Sequence, residues 1–173
     1  NPRSFVSAHR GYFLPLIMKP TCEEGAQLIT NGGFEQGNAS WNVVSYYNVI
    51  LSYPNQSPVS PRTGSWLAFL GGANNINNDT NMERLSQDIS FISNTSSFTF
   101  TYYDKILSDE GTTQPWDYLY VRLYDGNWGF IQTIDTMDNR SKDLGYIARS
   151  INVQINPQWI GQTLHLSFEA NTD

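Results

Sequence analysis

Side chains of the kind that do chemistry are few in this chain, and most of them are carboxylates and aromatic rings. Only two histidines occur, His9 and His165, and neither stands near a nucleophile motif such as Gly-x-Ser-x-Gly. There is no His-Glu-x-x-His pair for zinc and no glycine loop of the phosphate-cradling type. Carboxylate pairs that hydrolyse glycosides are defined by their separation in space, so sequence spacing does not identify them. The expectation is a domain that is not an enzyme.

Binding chemistry is better represented. In the run Trp116-Asp-Tyr-Leu-Tyr-Val-Arg-Leu-Tyr124 the residues alternate. In a strand, Leu119, Val121 and Leu123 share one face, while Trp116, Tyr118, Tyr120 and Tyr124 share the other with Arg122 among them. Aromatic rings in a row can stack on the apolar faces of sugars, and an arginine beside them can bond sugar hydroxyls. The same rings could instead pack beneath a loop, because aromatic residues are common in strands.

The carboxylates fall in two groups. Glu35 follows the turn-forming Asn31-Gly32-Gly33, where inward-turned carbonyls and a carboxylate would suit Ca²⁺, a hard ion that takes oxygen ligands. A tight turn with an exposed glutamate accounts for the same residues. Asp109, Glu110 and Asp117 lie in and after a Gly/Thr-rich loop, and Asp173 ends the sequence. If these converge, their mutual repulsion calls for a cation; if they do not, they are a solvated loop. The stretch Asn74-Asn-Ile-Asn-Asn-Asp79 lacks the Asp-x-Asp-x-Asp-Gly order of an EF-hand and reads as a solvent loop.

The elements that must position these residues are strands. Short alternating or apolar runs divided by Gly, Pro, Asn and Asp predict strands over 27–30, 41–52, 64–70, 82–90, 96–104, 117–124, 129–135, 146–154 and 163–170. Phe98, Phe100 and Tyr102 alternate with Thr99 and Thr101, and Leu164, Leu166 and Phe168 alternate with His165, Ser167 and Glu169, so one face of each strand is core and the other wet. Asp125-Gly126 between two such runs predicts a tight hairpin. No helix pattern of useful length is present.

At 173 residues the chain is long enough for one well-buried core. Aromatic residues make up 14% and charged residues only 15%, a β-rich balance that points to an extracellular or cell-surface location. A formal charge of −6 repels polyanions at long range, so nucleic acid is not an expected partner. The apolar run Tyr12–Met18 is interrupted by Pro15 and is far shorter than the roughly 20 residues that span a bilayer, so membrane insertion is not expected. Cys22 is the single cysteine and cannot form a disulfide within the domain. Residues 1–24, with prolines at 2, 15 and 20, read as a linker or edge-strand segment, and 25–173 as the domain. The first residue is Asn1 with no leader after it, so any export signal is expected to have been removed. The five Asn-x-Ser/Thr sequons follow from a composition rich in Asn and Ser and carry no weight.

Five motifs occur in order: Leu28-Ile-Thr-Asn-Gly-Gly-Phe-Glu35 with Gly37 and Trp41, Thr63-Gly-Ser-Trp-Leu-Ala-Phe-Leu-Gly-Gly72, Leu85-Ser-Gln-Asp-Ile89, Trp116-Asp-Tyr-Leu-Tyr-Val121, and Leu164-His-Leu-Ser-Phe-Glu-Ala-Asn-Thr-Asp173. Together they resemble carbohydrate-binding-module-like jelly rolls of the galactose-binding-domain-like type, which bacteria append to secreted peptidases and surface proteins. The resemblance implies an all-β fold, a jelly-roll β-sandwich of two antiparallel sheets with eight to nine strands. It also implies a structural calcium at Glu35, to which the carbonyls of Gly33 and Thr63 could contribute. Domains of this group usually carry one more strand, with an acidic pair, after the final Asn-Thr-Asp. The implied function is a non-catalytic accessory module that binds a polysaccharide or cell-surface polymer. The rival is a structural or adhesion spacer that contacts neighbouring protein domains and takes no small ligand.

Overall fold

Strand-forming alternation is carried through into the structure, a computed structural model that describes residues 27–45, 48–57, 59–71, 82–92, 96–108, 112–142 and 145–171. Among the described residues nine strands form: β1 (Asn42–Val44), β2 (Ile50–Ser52), β3 (Trp66–Ala68), β4 (Met82–Ser90), β5 (Ser97–Asp104), β6 (Tyr118–Asp125), β7 (Phe130–Asp138), β8 (Ile147–Gln154) and β9 (Thr163–Asn171). The only helical elements among the described residues are two single 3₁₀ turns. The protein is an all-β sandwich.

One layer is a five-stranded antiparallel sheet in the order β1-β4-β9-β6-β7. The other consists of two separate antiparallel pairs, β2-β3 and β5-β8. Among the described residues the expected second sheet is therefore in two pieces, and both pack on the inner face of the first. Phe100, Phe98 and Tyr102 of β5 meet Val121, Leu123 and Leu166 of the large sheet in one cluster. Ile50 of β2 and Trp66 and Ala68 of β3 meet Leu85 and Val43 in another. Phe168 packs against both clusters and lies 5.4 Å, edge-on, from Tyr102. Full burial of Leu85, Val121, Leu123, Leu164 and Leu166 contributes about 1.5–3 kcal/mol for each side chain.

Six of the predicted strands, from 82–90 to 163–170, form within a few residues of the expected limits. Three expectations fail in instructive ways. Residues 27–30 form no strand, because the side chain of Gln87 substitutes for a neighbouring backbone: its Oε1 accepts from Thr30 N at 2.8 Å and its Nε2 donates to Thr30 O at 2.9 Å. The run 41–52 gives two three-residue strands, and after the first of them Ser45 Oγ donates to the buried carboxylate of Glu83 at 2.5 Å. The run 64–70 shortens to Trp66–Ala68. The proposed segment 1–24, the loop Asn74–Asp79, Cys22 and His9 lie outside the described residues.

Candidate functional site

The outer face of the five-stranded sheet gathers most of the residues expected to bind. Register fixes which side chains meet. Along β9, Glu169 stands between Arg84 of β4 and Tyr120 of β6, Ser167 between Ser86 and Arg122, and His165 between Asp88 and Tyr124. A sheet face turned away from the core is usually wet, yet Ser167 is 0% exposed, Glu169 1% and His165 8%. Aromatic rings and arginines from β4, β6 and the β6–β7 loop cover them.

The rings form a row. Tyr118 and Tyr120 stack with their planes 8° apart and centroids 5.5 Å apart, as two residues on the same side of a strand can. The Arg122 guanidinium lies 4.0 Å from the centre of the Tyr120 ring. Beyond it Tyr124 meets Trp128 at 5.5 Å and Phe130, edge-on, at 5.9 Å. Phe130 is 60% exposed and Trp128 36%, and Tyr118, Tyr120 and Tyr124 are half-buried. Trp116 is exposed, and its backbone N–H donates to Asn139 Oδ1 at 2.9 Å; among the described residues no ring contact joins it to the row.

Trp128 owes its place to the hairpin loop. Asp125-Gly126 does not make the expected two-residue turn; the connection runs over four residues, from Asp125 at the end of β6 to Phe130. Asp125 Oδ1 accepts from the N–H groups of Asn127 and Gly129, both at 2.8 Å, the side-chain-to-backbone capping that aspartate favours in turns. A Cβ on Gly129 would collide with that carboxylate. Trp128 itself has φ +64°, a conformation that costs a bulky side chain energy and is held only by the structure around it. The indole stacks on His165 with centroids 4.0 Å apart and planes 11° apart, and the Arg84 guanidinium lies 3.9 Å from the ring centre.

Charges on this face are mostly paired. Arg122 Nη1 donates to Glu169 Oε2 at 2.8 Å and Ser167 Oγ to Glu169 Oε1 at 3.0 Å. Burial opposes the Arg122 cation, but hydrogen bonding to Tyr124 and Glu169 outweighs it and leaves the guanidinium pKa raised. Burial, and then the Glu169 carboxylate, push the Tyr124 phenol up as well. Because a carboxylate only accepts, the 2.7 Å contact of His165 Nδ1 with Asp88 Oδ1 puts a proton on Nδ1. Arg122, expected to touch ligand, is thus committed to a buried carboxylate and serves to hold the Tyr120 ring.

The metal candidates separate. Glu35 does bring its turn against residues 63–66: Oε1 accepts from Ser65 N at 2.9 Å and Trp66 N at 3.1 Å, and a Cβ on Gly64, at φ +69°, would fall on the same carboxylate. These partners are N–H donors, which a cation would have to displace. Gly33 and Thr63 lie in the two stretches that Glu35 joins, both exposed. Asp117 sits just before β6, where its carbonyl accepts from Asn139 N at 3.3 Å. Asp109, Glu110 and Asp173 lie outside the described residues. Among the described residues, no three acidic, histidine or cysteine side chains stand together as a metal site would require. Residues 33–35 and 63–66 thus stand together, with backbone N–H donors on the Glu35 carboxylate.

A cavity of about 1320 Å³ lies elsewhere, between the two layers, and is lined largely by core side chains such as Leu85, Phe100, Leu166 and Phe168. No helix among the described residues is long and apolar enough to cross a membrane. No model of a known family matches this chain, and no curated protein matches it.

The sequence does not single out Arg84, Asp88, Trp128 or Phe130, and it places His165 and Glu169 only on a polar face. Period-2 alternation puts 84, 86 and 88 on one side of β4 and 165, 167 and 169 on one side of β9. Only strand order brings them to the tyrosines.

Proposed function

We propose that this domain is a non-catalytic, extracellular binding module whose outer sheet face takes a glycan. The observation that carries the reading is the aromatic row of Tyr118, Tyr120, Tyr124, Trp128 and Phe130, partly open on one face. Sugar rings present C–H faces that stack on such rings, and the hydroxyls around them need donors and acceptors at the rim. The row is held from below by Glu169, Arg122 and His165, so little ordering entropy is left to be lost on binding. Ligand contact is assigned to Tyr118, Tyr120, Trp128 and Phe130, and a positioning role to Arg122. Structural calcium at Glu35 is a separate proposal on which this one does not depend.

A glycan array, followed by titration of any hit, tests the reading. Tyr120→Ala and Trp128→Ala should each weaken binding about tenfold, or about 1.4 kcal/mol, with the fold intact by circular dichroism. Binding that survives both substitutions unchanged would place the ligand elsewhere. One observation favours the rival adhesion reading: β3 and β5 each pair on one side only among the described residues, and free strand edges accept strands from other chains. Self-association without glycan binding would support it.

A further inference from the structure

We propose that the ligand of this face carries an acid group, the carboxylate of a uronic acid or a sulfate ester on the sugar, and that Arg84 is the residue that pairs with it. The proposal rests on the glycan reading above and adds the class of sugar.

Among the described residues the other arginines here each have an anion, and the His165 imidazole meets a carboxylate. Arg122 pairs with Glu169 at 2.8 Å, Arg140 with Asp138 at 2.6 Å, and His165 has Asp88 on its Nδ1. Arg84 has neither a carboxylate nor a hydrogen-bond acceptor among the described residues, although Glu169 is its direct cross-strand neighbour. That carboxylate is taken up by Arg122 and Ser167. What holds Arg84 is the Trp128 ring, 3.9 Å from its guanidinium carbon. The contact leaves the guanidinium N–H groups without an acceptor, and the two Nη groups, not the buried Nε, are those that a carboxylate or sulfate can reach.

The guanidinium nitrogens left over point the same way. Among the described residues three buried side-chain nitrogens or oxygens have no partner: Arg84 Nε, Arg122 Nε and His165 Nε2. All three belong to this face, and both arginine nitrogens are donors. With the proton on Nδ1, His165 Nε2 is an acceptor, so the shortage of acceptors is confined to the two guanidinium groups. A carboxylate or sulfate is acceptor-only and brings a charge, whereas a neutral sugar hydroxyl brings a donor with each acceptor. The formal charge of −6 works against attraction of a polyanion from a distance, so discrimination arises at contact, where Arg84 meets the acid group beside a ring that excludes water.

Calorimetric titration with neutral galactan, galacturonate and sulfated galactan oligomers of matched length tests this. Wild-type protein should bind at least one acidic oligomer about tenfold or more tighter than the neutral one, and the two acidic arms identify whether carboxylate or sulfate is read. Arg84→Gln should weaken acidic binding more than neutral binding, so that the preference for acid falls from about tenfold to under about twofold. Arg84→Lys, which keeps the charge but not the fork, should retain part of the preference. Tyr120→Ala should weaken acidic and neutral oligomers alike. Equal wild-type binding of neutral and acidic oligomers, or an acid preference that survives Arg84→Gln, overturns the proposal while the glycan reading stands. Failure to bind any oligomer removes both.

Discussion

Replacement of Arg122 by methionine isolates the strut beneath the aromatic row. Glu169 is 1% exposed and Arg122 26%, and their 2.8 Å contact is the only ion pair that Glu169 makes among the described residues. Removal of one member of a fully buried pair costs about 3–5 kcal/mol, because the other charge is left without its partner. Here the arginine is open to solvent over about a quarter of its surface, and Ser167 Oγ still donates to the carboxylate. Both facts lower the expected cost, to about 2–3 kcal/mol. For a domain of this size that corresponds to a melting temperature lower by about 5–10 °C. Urea unfolding of wild type, Arg122→Met, Glu169→Leu and the double variant measures it. The double variant should recover most of the loss, since an apolar pair of similar volume needs no compensation. A single-variant deficit under about 1 kcal/mol, or a double variant less stable than either single one, would refute the view that these two side chains act as a buried pair.

Other expectations follow from separate parts of the fold. Gln87→Leu should detach residues 27–30 at a cost of about 1–2 kcal/mol, seen as faster amide exchange at Thr30 while β4 remains protected. Glu35→Ala should cost about 1–2 kcal/mol by leaving Ser65 N and Trp66 N without an acceptor, and Glu35→Gln clearly less, because an amide oxygen still accepts; if calcium binds there, both substitutions abolish a melting-temperature gain on calcium addition and chelator lowers that of wild type. Tyr102 is half-buried, and its hydroxyl donates to Asp135 Oδ2 at 2.7 Å. Burial first, and that carboxylate next, raise the phenol well above its ordinary value. A pKa raised on folding gives stability that is complete below the unfolded value near 10 and is lost as pH rises past it. Tyr102→Phe should therefore flatten the decline in stability above about pH 10, as read by denaturation at a series of alkaline pH values.

The strands that proved readable are those whose own alternation specifies a face. Leu119, Val121 and Leu123 point to the core because a one-residue shift would expose all three, and Leu164, Leu166 and Phe168 repeat the logic on β9. The edge elements were less readable: residues 27–30 look like a strand but pair with the Gln87 side chain, which alternation cannot reveal. Half of the candidate site was legible for the same reason. Tyr118, Tyr120, Arg122 and Tyr124 share a face by parity alone. Arg84, Asp88, His165 and Glu169 reach them through the order β4-β9-β6, which is a long-range property. Trp128 was hidden in a turn whose Asp-Gly suggested a tighter loop; Asp125 caps a wider one and turns the indole back over the sheet.

Amide chemical-shift mapping during titration with a glycan oligomer tests the central claim most directly. Shifts should move at Tyr118 to Tyr124, at Trp128 to Phe130 and at Arg84, on the outer face of the five-stranded sheet. Shifts confined to the free edges of β3 and β5, or no shifts with any glycan at millimolar concentration, would contradict the account.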